Sequence, residues 1–192
     1  MKTIKLFSTA ILIASLFALP GCKGKEEVSK KEGGFKEIDI PCSGPKYRSD
    51  KNYFRADNSA KSNDMSLSRE KALTLAKQRL ASLIETQIKS VTDRYVNERE
   101  FGENSEFESK FENMTREVVN LKMNDIKIIC ETPGSLGNGQ FQTFVAIELD
   151  KESLLNNINS GVSKDQKLQI DYDKMKYEQI FNEEMEKLSN ER

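Results

Sequence analysis

The chain has 192 residues, with 30 basic and 31 acidic side chains, three cysteines and no histidine. A balance this even, with basic and acidic residues interspersed, leaves no electrostatic footprint for nucleic acid. Without histidine, neither a Ser-His-Asp nor a Cys-His nucleophilic system can be assembled in its usual form, and a zinc site would lack its commonest nitrogen ligand. No catalytic residue, metal or other cofactor is therefore expected.

The N-terminus carries Lys2 and Lys5, then a mostly apolar run from Leu6 to Leu19 that stops at Pro20-Gly21. About fourteen apolar residues fit the core of a secretory signal and fall short of the roughly twenty that a membrane-spanning helix needs. The next residue is Cys22. Leu19-Pro20-Gly21-Cys22 resembles the lipobox of bacterial lipoproteins: an aliphatic residue, a variable position, a small residue, then cysteine. The resemblance implies removal of residues 1–21 by cleavage after Gly21, and acylation of Cys22. Proline before the glycine departs from the usual small residue there. One acyl chain binds a bilayer only marginally, whereas two or three hold a protein firmly. Residues 22–34 then read as the lipidated cysteine and a flexible tether, since "KGKEEVSKKEGG" is polar, charged and punctuated by glycine. Fully extended, such a segment reaches about 40 Å. Lys25-Glu26-Glu27 also resembles the short signal that directs some lipoproteins to the cell surface; a plain solvated tether is the alternative.

Ile38 to Tyr47, with Pro41, Gly44 and Pro45, reads as an irregular lead-in, and Lys51 to Ser62 as a strand fraying into small polar residues. From Ser66, apolar residues at Leu73, Ala76, Leu80, Ile84, Ile88, Val91 and Tyr95 recur at steps of three and four, with no glycine or proline before Gly102. That spacing predicts one amphipathic helix of about thirty residues. Ser105 and Glu108 form a capping-box pattern opening a second helix, with Phe107, Phe111, Met114, Val118 and Leu121 as its buried stripe. "IKIIC" and "QFQTFVAIEL" read as strands of a hairpin joined by "PGSLGNG", with Phe141, Val145, Ile147 and Leu149 on one face. A short helix over Lys151 to Ile158 follows. Ser163 with Gln166 then predicts a final helical segment through Tyr172, Met175, Ile180, Phe181, Met185 and Leu188. The expectation is an α+β fold: a small antiparallel sheet, in the order β-α-α-β-β, packed against a long amphipathic helix, plus a C-terminal helix. The domain spans 35–162 and the C-terminal helix 163–192.

Cys42 and Cys130 remain after Cys22. Outside the cytoplasm an even pair makes one disulfide the simplest account; two independent thiols, with Cys130 buried as a small strand residue, are the alternative. Arg55, just inside the first strand, is the polar residue of most interest. It is expected either to pair with Glu148 across the strands or to recognise a ligand, with Tyr53, Phe54 and Phe144 as candidate cleft aromatics. The carboxylate pairs Asp171/Asp173 and Glu183/Glu184 read as a solvated helix face. The sequon Asn113-Met114-Thr115 falls on a helix and reads as incidental.

Several stretches together resemble the LPP-twenty lipoprotein family, small bacterial lipoproteins with a β-α-β-β domain of the SHS-two kind. They are Phe54-Arg55-Ala56 with the small polar residues to Ser62, the Ala72/Ala76/Leu80/Ile84 helix, Ala146-Ile147-Glu148-Leu149 and the acidic "YDKMKYEQIFNEEM" tail. The likeness covers roughly residues 50 to 160. It departs at Asp57-Asn58-Ser59-Ala60-Lys61, where the family commonly carries glycines. It implies a non-enzymatic protein-interaction or scaffold module of the cell envelope. The expected partners are the membrane, through the lipid anchor in the outer membrane (periplasmic face or cell surface), and another envelope protein. The alternative is a lipoprotein that binds a ligand or glycan in a cleft near Arg55 and the sheet.

Overall fold

The computed structural model describes residues 38–98 and 105–190. Met1–Ile38 and Asp39–Arg192 form separate units, and the described elements all lie in the second. After a 3-10 turn at Pro45–Tyr47 come β1 (Tyr53–Ser62), α1 (Met65–Glu98), α2 (Ser105–Lys122), β2 (Lys127–Ser135), β3 (Phe141–Asp150), α3 (Lys151–Val162), α4 (Gln166–Asp171) and α5 (Lys174–Asn190). The strands form an antiparallel sheet in the order β1-β3-β2, so the fold is α+β, with the long helix α1 on one face of the sheet.

The alternation of strand residues divides the sheet into two faces. Phe54 and Ala56 of β1 and Val145, Ile147 and Leu149 of β3 are buried in one core with Ala72, Ala76, Leu80 and Ile84 of α1. Asp64 Oδ1 accepts a hydrogen bond from Leu67 N (2.7 Å) and starts this helix, and the absence of Gly or Pro lets it run for 34 residues. Each large aliphatic side chain buried along the stripe contributes about 1.5–3 kcal/mol relative to exposure, far more than any propensity difference along the helix. β1 stays paired with β3 through Ser62 rather than fraying.

Several expectations need correction. The buried stripe of α2 is Phe107, Phe111, Thr115 and Val119, while Leu121 is 70% exposed. Thr115 can be buried because its hydroxyl donates to Glu112 O within its own helix (2.9 Å). The side chain of Ser105 lies outside the described residues, as does Gly102. The hairpin turn is shorter than expected, since β2 continues through Pro133-Gly134-Ser135. Proline is tolerated there because β2 is an edge strand. Gly137 and Gly139 both have φ near +75° (74° and 78°), the left-handed conformation that glycine adopts without penalty.

The helix after β3 extends to Val162, beyond Ile158, and Ser163 closes it instead of opening the next one: Ser163 Oγ donates to Asn159 O (2.9 Å). The final segment is two helices. Asp165 caps α4 by accepting from Lys167 N and Leu168 N, and Asp173 Oδ1 accepts from Lys176 N at the start of α5. Tyr177 is buried where Met175 was expected; Met175 is 83% exposed.

Tyr95, Phe107, Phe111, Tyr172 and Tyr177 pack as one aromatic group, with ring centroids 5.2–6.4 Å apart. Its hydroxyls have unequal situations. Tyr95 Oη accepts from Asp173 N (2.7 Å) and donates to Asp171 O (3.4 Å), holding the α4–α5 corner. Among the described residues, the buried Tyr177 Oη has no hydrogen-bond partner; the neighbouring Thr92 hydroxyl donates to Ile88 O. Removing a well-bonded hydroxyl orphans its partner, whereas removing an unsatisfied one relieves a desolvation cost. Tyr95→Phe is therefore expected to lower unfolding stability by about 1–2 kcal/mol. Tyr177→Phe should leave it unchanged or raise it by up to about 1 kcal/mol. Urea titration of both variants compares them directly, and equal losses would contradict the assignment.

Candidate functional site

The sheet face turned away from α1 carries Tyr53, Arg55 and Asp57 of β1 opposite Asp150, Glu148 and Ala146 of β3. β2 joins this face through a bulge. Ile128 pairs with Ile147, but the register shifts before Cys130, which then pairs with Ala146. Counting by twos from Ile128 would send Cys130 to the core face; the extra residue turns its side chain outward. There it is disulfide-bonded to Cys42, with Cα atoms 5.5 Å apart and a sequence separation of 88. The bond draws the lead-in across the outer face. Cys42 is 5% exposed, Ala146 is fully buried, and the Cys42 sulfur lies 3.5 Å from Thr132 Oγ1. Cys42 adopts φ 57°, a left-handed conformation costing a non-glycine residue about 1–2 kcal/mol.

A second attachment of the lead-in centres on Arg55. Its Nε donates to Glu148 Oε2 (2.9 Å), directly across the strands, and its Nη1 donates to Asp50 Oδ2 (2.6 Å) and to Arg48 O (3.1 Å). The guanidinium lies 5.2 Å from the Tyr53 ring centroid. Asp50 also accepts from Asn52 N and Tyr53 N. Partial burial works against ionising Asp50, but those two amides and the Arg55 guanidinium outweigh it and hold its carboxyl below the usual range. Ser49 completes the attachment, its hydroxyl accepting from Arg55 N (2.9 Å) and facing Arg55 O (3.3 Å). The lead-in is thus fastened at two points, covalently at Cys42 and by a charge-assisted cluster at Asp50.

A cleft of about 380 Å³ opens beside this cluster, between the lead-in, the free edge of β1 and α1. Arg48, Arg55 and Arg79 line it with Tyr47, Asp57 and Leu83. The expected aromatics do not converge there. Phe54 is in the core, Tyr53 stacks on Arg55, and Phe144 lies with its carbonyl oxygen 3.6 Å from the Cys42 sulfur. A larger hollow, about 550 Å³, lies between the start of β1, α3 and α5, with mixed charges from Lys51, Asp150, Glu152 and Glu178. Lys151 at its margin is 2% exposed; its Nζ donates to Asp50 O (2.6 Å) and sits 4.8 Å from the Phe54 ring centroid.

The remaining sequence candidates separate. Gly21 and Cys22 lie outside the described residues. Asp173 caps α5, and Asp171 O accepts from Tyr95. Glu183 and Glu184 are not a solvated pair. Both accept from Arg94 on α1, which also binds Glu98, while Lys176 and Lys187 complete the network. Hydrogen bonds from Lys176 and Arg94 hold Glu98 below the usual carboxylate range. Sequence reasoning missed Arg94, Asp50 and Lys151: Glu183 and Glu184 are distant from Arg94 in sequence although Glu98 is an i,i+4 neighbour, Lys151 donates to a distant backbone carbonyl, and Asp50 accepts mainly from backbone amides. Only Asp50, two residues before an exposed asparagine at the start of a strand, carried a local turn signal. Among the described residues no group of three or more His, Cys, Asp or Glu side chains is placed to hold a metal ion, and no helix is long and apolar enough to cross a membrane.

Comparison of the chain with protein-family profiles, curated proteins and solved structures gave no match.

Proposed function

We propose that this chain is a non-enzymatic lipoprotein of the bacterial cell envelope, held to the outer membrane through acylated Cys22 and presenting the Asp39–Arg192 unit as a protein-interaction module. The observation that carries the reading is Leu19-Pro20-Gly21-Cys22 behind an apolar run and ahead of a polar tether. The bonded Cys42 and Cys130 support it, because disulfides persist where the cytoplasmic reductants are absent. The Arg55 cluster supports a structural rather than a chemical role for the most polar spot on the sheet: the guanidinium is spent on Asp50, Glu148 and the Arg48 carbonyl.

The cleft beside Arg55 favours a second reading, recognition of an anionic small molecule or envelope glycan, with Arg48 and Arg79 in its lining. Chemical-shift changes at Arg79 and Thr86 on titration with acidic glycan fragments would distinguish it from the first.

The deciding measurement is the intact mass of the protein purified from its native membrane, with and without reductant. A chain beginning at Cys22, heavier by its acyl groups and gaining two hydrogens on reduction, is the expected result. An unacylated chain that retains residues 1–21 would end the lipoprotein reading.

A further inference from the structure

β1 is an edge strand, and its main-chain groups at odd-numbered positions point away from β3. Tyr53 N donates to Asp50 Oδ1 and Tyr53 O accepts from Asp50 N; Ser49 covers Arg55 N and O. The lead-in therefore fills the lane along the first half of this edge and stops there. From Asp57 onward, among the described residues, only side chains attend it. Arg79 reaches round from α1 to Asp57 O (3.0 Å) and Asp57 Oδ1 (3.3 Å), and Asn58 Oδ1 accepts from Ser59 N (2.8 Å). Arg79 is 61% exposed and its ion pair is long, so this cover is readily exchanged.

We propose that the open half of this edge, Asp57–Lys61, pairs antiparallel with the same segment of a second copy of the chain, about a two-fold axis through Ser59. The hydrogen-bonding parity permits it. Asp57, Ser59 and Lys61 all direct their main-chain groups outward, and a two-fold at Ser59 makes Ser59 face Ser59 and Asp57 face Lys61, each a hydrogen-bonded pair. The charges fit as well: each copy places a carboxylate opposite the other's ammonium, twice over. Opposite charges across an antiparallel pair are stabilising and like charges destabilising. The flanking surface supplies apolar area, since Leu83 lines the cleft above this edge and Leu75, one helical turn before Arg79, is 40% exposed. The axis is perpendicular to the sheet, so both copies' lead-ins cross the same face of the continuous sheet. That arrangement suits two anchors in one bilayer, a convenience that rests on the lipoprotein reading; the pairing itself does not.

The test is sedimentation equilibrium of the full-length protein in density-matched detergent, over about three decades of concentration. A reversible monomer–dimer equilibrium is expected. Lys61→Asp should weaken it by about tenfold or more, and Asp57→Lys combined with Lys61→Asp should restore most of the loss. Lys61→Arg, which keeps the charge, should leave the dimer intact and stands in should the double variant fail to fold; thermal melts check each variant. A protein that stays monomeric throughout overturns the proposal and leaves Arg79 and Asn58 as guards that keep the edge unpaired. A dimer indifferent to every one of these charge changes overturns it equally, since its interface would lie elsewhere.

Discussion

Replacing both bonded cysteines, Cys42→Ser with Cys130→Ser, is expected to lower the melting temperature by roughly 10–15 °C. The cysteines are separated by 88 in sequence, a loop that includes β1, α1 and α2, and closing a loop of that length is worth about 4–5 kcal/mol in the chain-entropy model. Part of the loss is local. Without the bond, nothing covalent holds Cys42 in its left-handed conformation, and the lead-in keeps only its second attachment at Asp50. Trypsin should accordingly gain access to Lys46 and Arg48 in the variant under conditions where α1 still resists. An unchanged melting temperature, or cleavage spread evenly along the chain, would show that the lead-in is not fastened in this way.

The second large effect is expected at Arg55. Arg55→Met keeps the aliphatic stem against Tyr53 but leaves Glu148, whose side chain is 15% exposed, without its cation and strips Asp50 of one of its partners. Breaking such a partly buried cluster from one side should cost about 2–4 kcal/mol at neutral pH. The pH dependence separates this from simple loss of packing. The Asp50 carboxyl is held below its ordinary value in the folded protein, so its contribution is fully present above about pH 4 and fades as pH falls through the depressed value. The gap between parent and variant should therefore narrow below about pH 4. A gap of constant size down to pH 3 would mean that Arg55 acts through its stem alone.

The sequence announced the elements that depend on long, uninterrupted periodicity. α1 is legible because nothing between Met65 and Glu98 competes with its apolar stripe, and β3 because Val145, Ile147 and Leu149 alternate cleanly. What escaped depended on single residues acting against the pattern. Thr115 counts as polar, yet it is buried once its hydroxyl turns onto its own helix. The α4–α5 break contains neither glycine nor proline; it is made by Asp165 and Asp173 capping two helices and by Tyr95 reaching the corner from α1. The bulge that re-aims Cys130 leaves no mark in "IKIIC", so the side of the sheet on which the cysteine stands could not be read. The Arg55–Glu148 contact was legible because each is a charged residue set among apolar neighbours on a regular strand, and the two strands pair directly. Asp50, the other half of that cluster, sits before the strand begins, where a local turn signal but no strand periodicity marks it.

The disulfide also decides how the domain meets a pull on its N-terminal side. Tension arriving along the residues before Cys42 passes through the sulfur–sulfur link to Cys130, and so into β2 and its ladder with β3. It bypasses the Asp50–Arg55 contacts and never tugs on the first strand. The loop enclosed by the link cannot be drawn out while the link is intact. The first part of the sheet to feel a pull from the N-terminal side would then be the strand held covalently, while β1 stays off the line of force.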